Sequence, residues 1–283
     1  MLCQFGPVTV LFQNIPSHLF WTFWSWKLDP FRVESGVPDV VVDYSGQQIV
    51  PKSVPVYEKC GKVCRQIFIL DEGTIIWQQK ESLEGQLQVQ FSVSAEWSRI
   101  TINQDNSPTA GMAAFEALTF LIYYVFIRKQ VLTFHGAIVE EGGRGFLLCA
   151  DSGVGKTTHA RLWRDNKNAL IINGDRAACV QKQGKWIGFG TPWCGTSGEY
   201  LNRCVPLQAV VILKRGEENR ICKASGVSLL SNVVYPAWDS ETTEIMLTLL
   251  DGFLKSVPVL QLECIPEISA VDVLYQALED LDL

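Results

Sequence analysis

The chain has 283 residues and a net charge of −6, from 24 Lys and Arg against 30 Asp and Glu. At roughly 150 residues per domain, that length allows one large domain or two modest ones. The acidic balance argues against nucleic acid or an anionic membrane as the main partner, since either asks for a basic surface.

The first hundred residues read as β-rich. Residues 8–12 and 38–43 are strand candidates. Residues 66–70 and 74–77 flank Asp71-Glu72-Gly73, which reads as a hairpin turn. Residues 86–94 alternate cleanly, with Leu87, Val89, Phe91 and Val93 on one face and Gln86, Gln88, Gln90 and Ser92 on the other. That pattern predicts a half-buried antiparallel strand. The aromatic cluster Phe20, Trp21, Phe23, Trp24 and Trp26 predicts a core strand, with a binding platform as the alternative.

A break is expected at residues 104–108. Ser107-Pro108 is a helix start, an N-cap followed by proline in the first turn, and the helix should run over 108–128. Two strand-like runs follow, 131–139 and 145–150. They are separated by Glu140-Glu141-Gly142-Gly143-Arg144, a glycine turn. Farther on, 169–172, 208–213 and 257–264 read as strands. Residues 240–255 read as a helix with Ile245, Met246, Leu249, Leu250, Phe253 and Leu254 on one face. Residues 268–281 read as a final amphipathic helix.

The cysteine count of nine is odd, whereas a secreted disulfide framework is usually even. The first 14 residues carry no basic stretch, apolar core or small-residue cleavage site. A reduced, cytoplasmic chain is therefore expected. Cys60 and Cys64 are the only close cysteine pair, and His18, His135 and His159 are scattered, so no structural zinc is expected. The apolar run 117–127, bounded by Glu116 and Arg128, is too short to span a membrane.

The chemistry lies in Ala150-Asp151-Ser152-Gly153-Val154-Gly155-Lys156-Thr157. Apart from Ala150, where the phosphate-loop template has Gly, every position fits. Gly153 and Gly155 let backbone N–H groups curl around phosphate oxygens. The helix that follows directs its positive end at the same point. The expected contacts run from Ser152 through Gly153, Val154, Gly155, Lys156 and Thr157 to Thr158. Lys156 is expected on the β- and γ-phosphates and Thr157 on Mg²⁺. Asp175, after the apolar run 169–172 and Asn173-Gly174, is the carboxylate expected to join Thr157 on the metal, although Asn-Gly-Asp also encodes a plain turn.

Four features in order resemble the HPr kinase/phosphorylase family and its relatives in the phosphoenolpyruvate carboxykinase superfamily. They are His135-Gly136 in a strand, the Ser152–Thr157 loop, Asp175-Arg176, and Ala270-Val271-Asp272 in the last helix. The resemblance covers residues 131–283. Asn173-Gly174-Asp175, Gly190-Thr191-Pro192-Trp193 and Val205-Pro206-Leu207 are similar to a subgroup associated with modified-peptide biosynthesis.

The resemblance implies an α/β P-loop domain of the HPr kinase C-terminal/carboxykinase type over 106–283, and 1–105 is then a β-rich accessory domain. It implies ATP and Mg²⁺ as cofactors and His135 beside the phosphates. It also implies phosphoryl transfer to a hydroxyl, a serine of a peptide or small protein, and a homo-oligomer, since HPr kinases assemble. The family has two acidic residues in a row before Arg176, the first credited with general-base work. Here Gly174 holds that first place, which leaves Asp175 doing both jobs, or Asp151, His135 or no residue, as the base. Arg176 is a phosphate clamp or a salt-bridge residue. Trp193 and Arg203 are candidate substrate contacts, with core packing and a solvated strand-edge charge as their alternatives. Two other readings stay open: a small-molecule kinase or carboxykinase-like enzyme, and a non-catalytic, nucleotide-gated peptide-binding protein.

Overall fold

The computed structural model describes residues 1–283 except 20–22, 104–107, 152, 236–237 and 282–283. It is a mixed α/β structure with two eight-stranded sheets. By contacts it divides into two compact units. One is Met1–Val125 with Ala237–Asp239, and the other is Phe126–Pro236 with Ser240–Leu283.

The first unit contains β1 (Leu2–Phe5), β2 (Val8–Phe12), α1 (Ser17–Leu19), α2 (Ser25–Leu28), β3 (Val40–Tyr44), β4 (Tyr57–Cys60), β5 (Cys64–Ile69), β6 (Ile75–Lys80), β7 (Leu87–Val93) and β8 (Arg99–Ile102). Its strand order is β1-β2-β3-β8-β7-β6-β5-β4. The alternation in β7 sends Val89, Phe91 and Val93 into the core as expected, yet Gln90 is buried too. Gln66, Gln78 and Gln90 are cross-strand neighbours on β5, β6 and β7. Gln90 Nε2 donates to Gln78 Oε1 at 3.1 Å, and Gln78 Nε2 donates to Gln66 Oε1 at 2.8 Å. This amide ladder satisfies polar groups that burial alone would penalise. Gln90 also holds the backbone of Ile49 on both sides, accepting from its N–H at 2.7 Å and donating to its carbonyl at 2.8 Å.

Two expectations change here. The aromatic cluster is not a strand: its described part turns helical into α2, with Trp24 buried and Trp26 exposed. Phe20 and Trp21 lie outside the described residues. Nor are all nine cysteines reduced, because Cys60 and Cys64, facing each other across the β4–β5 hairpin, form a disulfide. Among the described residues the other seven form no disulfide.

Helix α3 spans Pro108–Arg128 as the sequence predicts, although Ser107 lies outside the described residues. The division of the chain falls inside this helix, after Val125, and not at 105/106. The physical reason is that α3 is apolar on nearly every side and packs within the first unit. Trp24 Nε1 donates to Gly111 O at 3.0 Å, and the Trp24 ring meets Phe115 edge-on at 5.2 Å. Gly111–Arg128 is long and apolar enough to cross a membrane by length and composition, a wider window than the 117–127 run, and 72% of it is buried inside the fold.

The second unit contains β9 (Val131–Glu141), β10 (Arg144–Cys149), α4 (Lys156–Lys167), β11 (Leu170–Asn173), β12 (Arg176–Lys182), β13 (Lys185–Phe189), β14 (Cys204–Arg215), β15 (Arg220–Lys223), α5 (Ser240–Ser256), β16 (Val259–Cys264) and α6 (Ile268–Asp280). Strands β10, β9, β12, β13 and β14 form a ring, closed because β14 pairs β10 in parallel. β16 continues parallel to β14, and β15 edges it antiparallel. Three parallel strands, β10, β14 and β16, therefore end on the same side. The sheet has apolar layers on both faces. One includes Phe134, Ile138, Ile212 and Phe253, and the other includes Phe146, Trp163, Val211 and Leu274. This double burial explains why β10 and β14 read as unbroken apolar runs.

Candidate functional site

The site forms where β10 ends. Gly153 (φ +80°) and Gly155 (φ +125°) adopt backbone conformations that side chains resist, and they swing the chain from β10 into α4. The first hydrogen bond of this helix runs from His159 N to Gly155 O at 2.9 Å, and Gly155 supplies no side-chain cap. The N–H groups of Lys156, Thr157 and Thr158 thus lack intrahelical acceptors at a positive helix end. That donor set, with an ammonium beside it, fits a polyphosphate. Ser152 lies outside the described residues. Asp151 is exposed, 3.8 Å from Lys214 Nζ.

Lys156 is buried to 9% exposure. Its Nζ lies 3.3 Å from Ala150 O and 3.2 Å from His135 Nε2. An ammonium can only donate, so Nε2 is the acceptor and Nδ1 carries the imidazole proton. That Nδ1 sits 3.3 Å from Asp175 Oδ1. Burial holds the His135 imidazole below its usual pKa, opposed by the Asp175 carboxylate and reinforced by Lys156 and Arg176. Arg176 Nε donates to Asp175 Oδ2 at 3.1 Å. The structure thus brings together His135, Lys156, Asp175 and Arg176, which come from three separate segments of the chain.

Asn173 sets this arrangement. It is fully buried, and its Nδ2 donates to the carbonyls of Thr191 (3.1 Å) and Trp193 (3.0 Å). Its Oδ1 accepts from the backbone N–H groups of Asp175 (3.1 Å) and Arg176 (2.7 Å). The Asn-Gly-Asp turn is real, and it is also what aims the carboxylate. Asn232 is a second such residue, with Nδ2 3.3 Å from His135 O and 3.4 Å from Ala150 O. Nothing in the local sequence of Asn232 marks it, whereas the Asn-Gly-Asp tripeptide did mark Asn173.

Gly174 has a steric cause. A Cβ there would lie 2.2 Å from Ser197 Oγ and 2.7 Å from Ser197 Cβ. Ser197 is itself held, its Oγ donating to Cys194 O at 2.6 Å. Farther along this loop, Glu199 O accepts from Gly174 N at 2.9 Å, and Glu199 Oε1 accepts from Arg164 Nη1 at 2.7 Å. Gly195, at φ +57°, leaves room for Asp175 Oδ2. Gly174→Ala is expected to cost about 1–3 kcal/mol as an overpacking change, and Ser197→Gly in the same chain should recover most of it. An unchanged denaturation midpoint in the single variant would contradict this packing.

Two expected substrate contacts sit differently. Trp193 is buried to 1% exposure, so its indole presents no open face. Arg203 pairs through Nε and Nη2 with the buried Glu140 carboxylate. Any role for Arg203 on a transferring phosphoryl group would require that pair to open. Among the described residues, no group of three or more His, Cys, Asp or Glu forms a metal cluster. Thr157 and Asp175 are two oxygen donors, a set that suits Mg²⁺, which keeps several of its waters.

Residues 100–233 match the model of a family described as "ScmC: SynChlorMet cassette protein ScmC". No curated protein matches. Among solved structures, a similar one is described as "Structure of the Hpr(Ser) kinase/phosphatase from Coxiella burnetii". It has 12% sequence identity and a TM-score of 0.31, and the match covers 51% of this chain and 94% of that one.

Proposed function

We propose that this protein is an ATP- and Mg²⁺-dependent phosphotransferase, with a serine hydroxyl of a peptide or small protein as acceptor. The observation that carries the reading is His135, held between Lys156 Nζ and the Asp175 carboxylate at the mouth of a phosphate-loop turn. In this reading Lys156 Nζ and the N–H groups at the start of α4 bind the β- and γ-phosphates. Thr157 and Asp175 hold the metal. Mg²⁺, when bound, would supply positive charge against the negative charge that develops in the transfer. A carboxylate has about four lone-pair sites, so Asp175 can keep Arg176 and His135 and still offer one to the metal.

The acceptor proton needs a base, and Gly174 supplies none. His135 Nε2 becomes available as a base once Lys156 Nζ turns from it to the phosphates. Its Nδ1–H is fixed on Asp175, and burial keeps the ring neutral. It would take the hydroxyl proton as oxygen attacks phosphorus and the bond to ADP breaks. Asp175 would hold the tautomer and stabilise the imidazolium. Because phosphoryl transfer depends mostly on positioning and charge stabilisation, a single modest base is sufficient.

One observation favours a second reading, a nucleotide-gated protein that holds a peptide without modifying it. Ser197 fills the space a side chain at 174 would need, which shuts out a second carboxylate. The deciding experiment is incubation with Mg-ATP and peptides encoded by neighbouring genes, read by mass spectrometry. One added phosphate on a serine is the expected result. ATP bound with every peptide left unmodified would replace the first reading by the second.

A further inference from the structure

Beside the phosphate loop, and lined partly by its Gly153, Val154, Gly155 and Thr158, lies a cleft of about 360 Å³. Its volume falls in the range of small-molecule sites. It opens where β14 and β16 end together, with Arg215 and Cys264 paired in register at their last positions. In open α/β sheets the crevice beyond the carboxyl ends of parallel strands is where ligands bind.

The walls are mixed. Val154, Leu213 and Pro266 offer apolar surface, and Cys264 offers a half-exposed thiol. Arg215 Nη2 donates to Gly153 O at 2.7 Å, which ties the end of β14 to the phosphate loop and sets the width of the cleft. His159, one turn into α4, also lines it. His159 is 3% exposed, and neither of its ring nitrogens, both closed to solvent, has a hydrogen-bond partner among the described residues. Two unmet ring nitrogens in the wall of a cavity are an exception that calls for a cause. A planar heterocycle with donors and acceptors on its edge is the chemistry that answers them.

We propose that this cleft takes the nucleoside of the nucleotide whose phosphates the loop binds, with apolar contacts to the base and the buried His159 ring turning toward the cleft to read its edge. The proposal rests on the loop being a nucleotide site. It goes beyond that reading by giving the site a base-binding half formed by β14, β16 and α4.

The test compares Mg-ATP with Mg-tripolyphosphate, which has the phosphates and no nucleoside. Binding is measured by calorimetry on the full chain and on Cys264→Trp, which fills the cleft. ATP affinity is expected to fall at least tenfold in Cys264→Trp, with tripolyphosphate unchanged. In the unaltered protein, ATP and millimolar adenosine should slow alkylation of Cys264 by N-ethylmaleimide, read peptide by peptide in a mass spectrometer, and tripolyphosphate should not. Alkylation at one rate with or without ATP, alongside tight ATP binding, overturns the cleft and leaves the loop standing. If neither ATP nor tripolyphosphate binds the unaltered chain, the loop reading falls and the cleft falls with it.

Discussion

Lys156→Ala is expected to lower ATP turnover by a factor of about 10²–10³ or more, with the fold retained. A preorganised charge that meets developing negative charge in a dry site is worth about 3–4 kcal/mol. In the proposed mechanism Lys156 is such a charge; it is nearly buried, with its Nζ beside Ala150 O and His135 Nε2. Its removal leaves little unsatisfied, because Ala150 O keeps Asn232 and His135 keeps Asp175. Asp175→Asn should be comparable in activity, and it loses the Arg176 Nε bond because its amide nitrogen then faces that donor. The amide oxygen can still accept from His135 Nδ1–H, but it can no longer stabilise a charged imidazole. ADP release at saturating Mg-ATP and acceptor, paired with circular dichroism, checks both variants. Turnover in Lys156→Ala at the level of the unaltered protein would remove the phosphate loop from the mechanism.

Acidification from about pH 6.5 to about pH 4 is expected to remove about 3 kcal/mol of stability through His159 alone. Burial pushes the His159 imidazole down from 6.5 to about 4. In the folded chain the ring is therefore neutral over this interval, while in the unfolded chain it takes up a proton below 6.5. The unfolded state binds more protons, so stability rises with pH across the window and is lost as pH falls. His135 shifts in the same direction and adds to the slope. His159→Leu isolates the larger contribution. Urea midpoints measured from pH 4 to 7 should fall less steeply in that variant than in the unaltered protein. Parallel curves would mean that His159 has a hydrogen-bond partner in solution or is reached by water.

The local devices were legible in the sequence for a physical reason: each depends on residues close along the chain. Gly153, Gly155, Lys156 and Thr157 encode the loop and helix start within eight positions. The Pro108–Arg128 helix follows from its proline and its apolar length, and the β9–β10 hairpin follows from Gly142-Gly143. The helical turn near Trp24 was not legible, since a short aromatic run suits a strand as well as a buried helix. Nor was the division after Val125, because an apolar helix does not state which sheet it will cover.

The sequence by itself therefore determined most elements of the second unit, though not β12, β13 or β15, and the residues of the candidate phosphate site: its glycines, its lysine and the carboxylate at 175. Only the tertiary structure decided how they meet. His135, Lys156 and Asp175 lie on different segments and come together because β9 pairs both β10 and β12. Arg203 and Trp193, which a linear reading could offer to a substrate, are engaged by Glu140 and by the core. The glycine at 174 looked like a lost carboxylate in one dimension, and in three it is the space that Ser197 occupies. Such contacts are set by chain closure over long separations, which no local pattern encodes.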